Sequence, residues 1–168
     1  MLGDLGVSLY KGPDTKIREH VRKCYEIVYG VAEHSKVGMK FSELFDFAIN
    51  FFEKEMTMVG WMTTTNDPLK GTNLGHTVPG SLIGEDMKKT SFDEIKDFIT
   101  TKRVYINRSE QFIIPETCAF TVESRLVDKQ KTMPNIFFHF IVTFLEGRKE
   151  ILTNFDEIFR AAGMEYVL

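Results

Sequence analysis

Two strand-like runs near the C-terminus constrain this chain more than any other feature. Cys118 to Val127 and Ile136 to Leu145 are dense in β-branched and aromatic residues, the side chains that fit a pleated, half-buried surface. The polar stretch Asp128-Lys129-Gln130-Lys131 joins them, consistent with an antiparallel pair. Helical patterns come first. Between Thr15 and about Ser35, apolar residues recur every three or four positions (Ile17, Val21, Cys24, Val28, Val31), which gives a helix with one buried stripe. Lys11-Gly12-Pro13-Asp14 supplies the turn and cap ahead of it. A second helix is expected from about Phe41 to Val59, with Leu44, Phe45, Ala48, Phe52 and Met56 on one side. Phe41, Phe47 and Phe51 widen its apolar face toward full coverage.

The remaining segments are shorter. Val7 to Tyr10 reads as the end of a strand, and Arg103 to Asn107 as a brief one. Ser91-Phe92-Asp93-Glu94 is a capping-box arrangement, with Ile95, Phe98 and Ile99 behind it as a third helix. Glu146-Gly147 closes the second long strand, Ile151-Leu152 returns as a short one, and Asp156 to Ala162 forms a last helical turn or two. Segregated helices and antiparallel strands predict an α+β domain, with helices on one face of a curved sheet. At 168 residues the chain is read as one domain, residues 1–168, able to bury a substantial core. Fifteen Phe make that core, or an interface, aromatic-rich, and a homo-oligomer is expected from so much apolar side chain.

Charge and composition exclude some classes. A net charge of -3 argues against nucleic-acid binding, which normally shows a basic excess on one face. The basic clusters at Lys16 to Lys23 and Lys88-Lys89 read as solvated helix faces. No apolar run approaches the roughly 18–20 residues of a membrane span, and the first residues do not resemble a signal peptide. Cys24 and Cys118 read as buried free thiols, with no CxxC or zinc spacing, so a reducing, cytoplasmic setting is expected.

Two places stand out chemically. Asn73-Leu74-Gly75-His76-Thr77-Val78-Pro79-Gly80 sets one imidazole between glycines and a proline, and reads as a sharply turning loop. Such a histidine can present a ring nitrogen to a metal, a substrate or a proton, or can simply bond a carbonyl. In Ala119 to Leu126, alternation puts Thr121, Glu123 and Arg125 on one face and Phe120, Val122 and Leu126 on the other. A carboxylate in so apolar a strand is costly unless paired or bound to metal. An Arg–Glu face open to water, or a salt bridge to another strand, accounts for it equally.

These words in this order resemble the pita-bread metallopeptidases, the group of methionine aminopeptidase, Xaa-Pro dipeptidase and creatinase. Gly75-His76-x-x-Gly (with Gly80 one place late), Thr121-Val122-Glu123 and Glu146-Gly147 followed by Leu152-Thr153 match that group's motifs across nearly the whole chain. The resemblance implies a pita-bread domain lacking its first strands, and a metal-dependent hydrolase of the Xaa-Pro dipeptidase or aminopeptidase type, whole or as a fragment. It implies a peptide or small-molecule substrate, and divalent Mn, Co, Zn or Fe as one ion or none. By the same resemblance Asp4, His76 and Glu123 become metal ligands, and His139 stands as the sole candidate where the group places its last glutamate. The group's first metal aspartate would precede residue 1. Val7-Ser8 replaces an expected Thr-Arg pair, and Ser124-Arg125 replaces Pro-Gly. Two other readings follow from those departures. One is a metal-free pita-bread domain that binds a peptide or partner; the other is a metal-independent enzyme with His76 and Glu123 as acid and base.

Overall fold

The structure, a computed structural model, describes residues 6–54, 56–58, 73–78, 91, 93–94, 102–152 and 155–168. Asp4, Pro79, Gly80, the third helix beyond its capping residues and the polar loop Thr63–Asp67 lie outside the described residues. Ser91 and Glu94 do form the expected capping box. The Ser91 hydroxyl accepts from the Glu94 N–H at 3.2 Å, and the Ser91 N–H donates to the Glu94 carboxylate at 3.2 Å.

Helix α1 spans Thr15–His34. Asp14 caps it by accepting from the N–H groups of Lys16 and Ile17 at 2.8 and 3.4 Å, and the Ser35 hydroxyl donates to the Ala32 carbonyl at its other end. Val21, Cys24, Val28 and Val31 are fully buried, as their spacing predicts. Helix α2, Phe41–Glu53, stops earlier than the apolar pattern implied. Met56 belongs instead to strand β1, Met56–Met58, which pairs with the far end of the first long strand. That strand's last N–H and C=O groups need a partner, and this need outweighs a helical stripe that has run into charged Glu53 and Lys54.

Both long strands form where expected. Strand β2 is Cys118–Asp128 and β3 is Ile136–Leu145, antiparallel, with Cys118 opposite Phe144 and Leu126 opposite Ile136. Asp128 folds the connection back on itself: its carboxylate accepts from the Thr132 N–H and hydroxyl, both at 2.9 Å, and from the Met133 N–H at 2.6 Å. Glu146 and Gly147, at φ of 52° and 77°, make the two-residue hairpin turn into strand β4, Arg148–Leu152. The four-stranded sheet runs β1-β2-β3-β4. Helix α3, Asp156–Ala161, and a single 3-10 turn at Glu165–Val167 follow. The molecule is thus α+β, with an antiparallel sheet and packed helices.

Alternation along the strands sorts the two sheet faces. Phe120, Val122, Phe138 and Phe140 have no exposed surface and pack toward the helices. The Tyr25 ring of α1 meets Phe138 and Phe140 edge-on at 5.3 Å each, and Phe159 of α3 at 5.8 Å. Burying each such side chain stabilises the fold by about 1.5–3 kcal/mol. The opposite face carries Thr121, Glu123, Arg125 and, from β3, Phe137 and His139.

The N-terminal segment is held at both sides. Val7 bridges to Phe138, the Ser8 N–H donates to the Phe137 carbonyl at 2.9 Å, and the Phe137 N–H donates to the Ser8 hydroxyl at 2.8 Å. From the C-terminal turn, the Tyr166 hydroxyl donates to the Tyr10 carbonyl at 3.0 Å, and the Tyr10 N–H donates to the Met164 sulfur at 3.1 Å. Of the two free thiols, Cys24 is buried as expected, whereas Cys118 at the start of β2 is partly open to solvent. No helix among the described residues is long and apolar enough to cross a membrane.

Candidate functional site

The segment around His76 is not the loop its glycines implied. Residues 73–78 run extended, hydrogen-bonded on both edges. On one side the Thr121 N–H donates to the His76 carbonyl at 2.8 Å, the Glu123 N–H to the Leu74 carbonyl at 2.7 Å, and the Val78 N–H to the Ala119 carbonyl at 2.8 Å. On the other side Leu74 and Thr77 donate to the carbonyls of Ile106 and Val104, and Ile106 donates back to Gly75. The brief strand expected at Arg103–Asn107 is therefore the outer neighbour of the His76 segment, meeting it at the His76–Tyr105 bridge.

Gly75 makes this possible. Its φ of 135° lies where side-chain-bearing residues are rarely found, and a Cβ there would stand 2.6 Å from the Thr121 hydroxyl oxygen and closer still to the Thr121 carbonyl. The absent side chain lets Thr121 grip His76 at two points. Its hydroxyl accepts from the His76 N–H at 3.0 Å, while its N–H donates to the His76 carbonyl.

Three sequence-derived site residues come together on the sheet face opposite Phe120, Val122, Phe138 and Phe140. Glu123 and His139 are direct cross-strand neighbours, so their side chains leave the sheet side by side. His76 enters from the neighbouring extended segment. His76 Nε2 lies 3.9 Å from Glu123 Oε1, and His139 Nδ1 lies 3.8 Å from Glu123 Oε2. The carboxylate thus stands between two imidazoles, one toward each oxygen. His76, Glu123 and His139 are exposed by only 5%, 2% and 1%. Asp4, the remaining candidate ligand, lies outside the described residues.

The proton placement on His76 follows from its backbone. Its Nδ1 sits 3.1 Å from the Thr77 carbonyl, which can only accept, so Nδ1 carries a hydrogen. Nε2 is then the nitrogen directed at Glu123. A ring nitrogen lone pair and a carboxylate oxygen both attract a cation, so the donor kinds on either side of that 3.9 Å gap are ones a metal ion accepts. Ligand histidines are commonly fixed in this way, with the far ring nitrogen donating to a backbone carbonyl.

The donor kinds fit one ion. Two imidazoles and one carboxylate are a set found at catalytic zinc sites. Bonds of about 2.0–2.2 Å at a tetrahedral angle place donor atoms about 3.4 Å apart, about half an ångström closer than the gaps here. As placed, no three His, Cys, Asp or Glu side chains among the described residues are gathered tightly enough to hold a metal.

Aromatic rings and one guanidinium lie around this trio. The Tyr105 ring stands edge-on to His76 at 5.8 Å, and Phe137 stands edge-on to His139 at 6.3 Å. Arg125, exposed at the rim two residues beyond Glu123, lays its guanidinium over Phe137 at 5.3 Å. Strand alternation puts Thr121 and Arg125 on the face of Glu123, as expected; nothing local announced Tyr105, whose role depends on a pairing 29 residues away in sequence (105 − 76).

No protein-family model matches the chain, and no curated protein matches it. Among solved structures, an X-Pro aminopeptidase from Thermotoga maritima MSB8 is similar at 20% identity with a TM-score of 0.46, over 88% of this chain and 33% of that one. The chain spans about a third of that protein's length.

Proposed function

We propose that this chain is a pita-bread-like domain, whole or part of a longer protein, working as a metal-dependent hydrolase of the Xaa-Pro dipeptidase or aminopeptidase kind. One observation carries the reading: the His76 ring, fixed through Nδ1 by the Thr77 carbonyl, turns Nε2 toward a buried carboxylate that His139 faces from the other side. His76, Glu123 and His139 would hold the ion, with Asp4 as a further ligand. Such an ion, if held there, would supply an activated water and a Lewis acid for a carbonyl.

The chain's own residues supply the rest. Glu123 brings the negative charge that makes a cation welcome in a buried place. Thr121 and Gly75 hold the His76 backbone, so the imidazole is positioned before any ligand arrives. Low exposure of all three side chains keeps bulk water from competing for the same positions. Peptide or small-molecule substrates with an Xaa-Pro bond are the class to test.

A second reading has its own support. Side chains exposed by 5% or less are reached by a ligand only if covering chain moves aside, which favours a metal-free domain that binds a peptide or partner elsewhere on its surface. Thermal unfolding with and without added Mn²⁺ or Zn²⁺ separates the two. Ligand binding to the native state raises the melting temperature by mass action, about 2.7 kcal/mol of stabilisation at a hundredfold excess over Kd. A shift that vanishes in His76→Ala, followed by cleavage of Xaa-Pro dipeptides, supports the hydrolase. No metal content and no shift leaves the binding domain.

A further inference from the structure

Arg125 stands on β2 two places beyond Glu123, on the same sheet face, with its side chain exposed. Its guanidinium rests over Phe137, its direct cross-strand partner, 5.3 Å from the ring centre. Among the described residues, the arginines and lysines that form ion pairs are Arg22, Arg108, Lys149 and Arg160, so Arg125 keeps its charge for something else. Phe137 is itself held in place. Its N–H donates to the Ser8 hydroxyl at 2.8 Å, and its carbonyl accepts from the Ser8 N–H at 2.9 Å. Its ring packs so closely on Gly6 that a Cβ there would run into it. An arginine resting on a fixed ring keeps its edge N–H groups free for a planar partner, and loses little freedom when that partner arrives. A carboxylate is the anion that this fork fits, with two parallel hydrogen bonds.

Distance sets which carboxylate. Two residues of an antiparallel strand span about 7 Å, and an extended dipeptide spans about the same. A dipeptide with its scissile bond beside Glu123 therefore brings its own C-terminal carboxylate toward Arg125. Each further residue carries that carboxylate about 3.5 Å past it. Resting on the hydrolase reading above, though on no particular metal, we infer that Arg125 is the specificity-determining residue of this site. It takes the free C-terminal carboxylate of the substrate, so the site selects Xaa-Pro dipeptides over amidated or longer chains. The pairing lies at the solvent edge, and salt weakens it.

The test is calorimetric titration of the full 168-residue chain at low salt with three ligands. The first is an Ala-Pro analogue whose scissile carbonyl is reduced to a methylene, so that it is not cleaved. The second is the same compound with its carboxylate amidated, and the third is the same compound extended by one alanine. Cleavage of Ala-Pro itself is followed separately. The free acid should bind roughly tenfold more tightly than either of the others, the range of a charge-assisted hydrogen bond. That ratio should fall below about threefold in Arg125→Gln and stay intermediate in Arg125→Lys, because an ammonium offers a point charge rather than a fork. A merely structural Arg125 would change all three affinities alike. If the wild type binds the amide or the extended compound as tightly as the acid, or the ratio survives Arg125→Gln, the inference fails, and the hydrolase reading stands where Ala-Pro is cleaved. The expected ratios without cleavage keep the carboxylate site and remove the hydrolase. No binding of any of the three to the wild type overturns the inference as well.

Discussion

Replacing Gly75 with alanine tests how the site is assembled. Two costs apply at this position. The backbone φ of 135° is a region reserved for glycine, and holding a side-chain-bearing residue there costs about 1–3 kcal/mol. The added Cβ would also collide with the carbonyl and hydroxyl oxygens of Thr121, so the extended segment has to move off β2. Moving it weakens the bonds from Thr121 N–H to the His76 carbonyl and from His76 N–H to the Thr121 hydroxyl, at about 1 kcal/mol each. Together these give a loss of about 3–5 kcal/mol, a large share of the 5–15 kcal/mol typical of a domain. Gly38→Ala is the matched control. Gly38 has a φ of 85° but nothing within 4 Å of the added atom, so only the conformational part remains, about 1–2 kcal/mol. Urea unfolding followed by fluorescence reads both variants. If Gly75→Ala costs no more than Gly38→Ala, Thr121 is not pressed against the glycine and the proposed support of His76 is wrong.

Two further outcomes follow from titratable groups. Burial pushes the Cys24 thiol up to about 12, whereas Cys118 is raised less and is partly exposed. Iodoacetamide at pH 8 should therefore label Cys118 in the folded protein and reach Cys24 only in denaturant, and equal native labelling of both would contradict the packing of α1. His34 lies flat on Phe47, with ring centroids 3.5 Å apart and its edge open to water; burial of that face, then Lys36 and Lys149, lowers its pKa. A histidine depressed in the folded state contributes stability that is complete above its unfolded value near 6.5 and is lost as pH falls through the folded value. The melting temperature of the wild type should accordingly fall more between pH 7.5 and pH 5 than that of His34→Phe; equal falls would show that protonation of this ring does not matter.

What the sequence made legible divides by the reach of each interaction. Helix α1 and the β2–β3 pair are written in local periodicity, so Val21, Cys24 and Val28, and the alternation of Phe120, Val122 and Leu126, land where spacing puts them. Glu123 was conspicuous because a carboxylate in an apolar strand needs a reason. The His76 segment reads as a loop because Gly75 and Pro79 look like turn residues, whereas Gly75 is required by a close approach to Thr121, 46 residues further on (121 − 75). The end of α2 was overrun for a similar reason: Met56 continues a helical stripe but is claimed by the distant Asp128. His139 became a site residue only through resemblance, and the register that sets it beside Glu123 is a property of the folded sheet.

The clasp between Tyr10 and the C-terminal turn also bears on how the chain is made. Ser8 and Tyr10 are synthesised early, yet their partners Phe137, Met164 and Tyr166 appear only after more than a hundred further residues. Closing so long a span is entropically slow, and contacts of high sequence separation are what retard folding. Helix α1 meets the same delay, since Tyr25 finds Phe138 and Phe140 only when β3 exists. During translation the part of α1 that faces β3 therefore stays uncovered until β3 has emerged, a transient exposure of the kind that chaperones recognise.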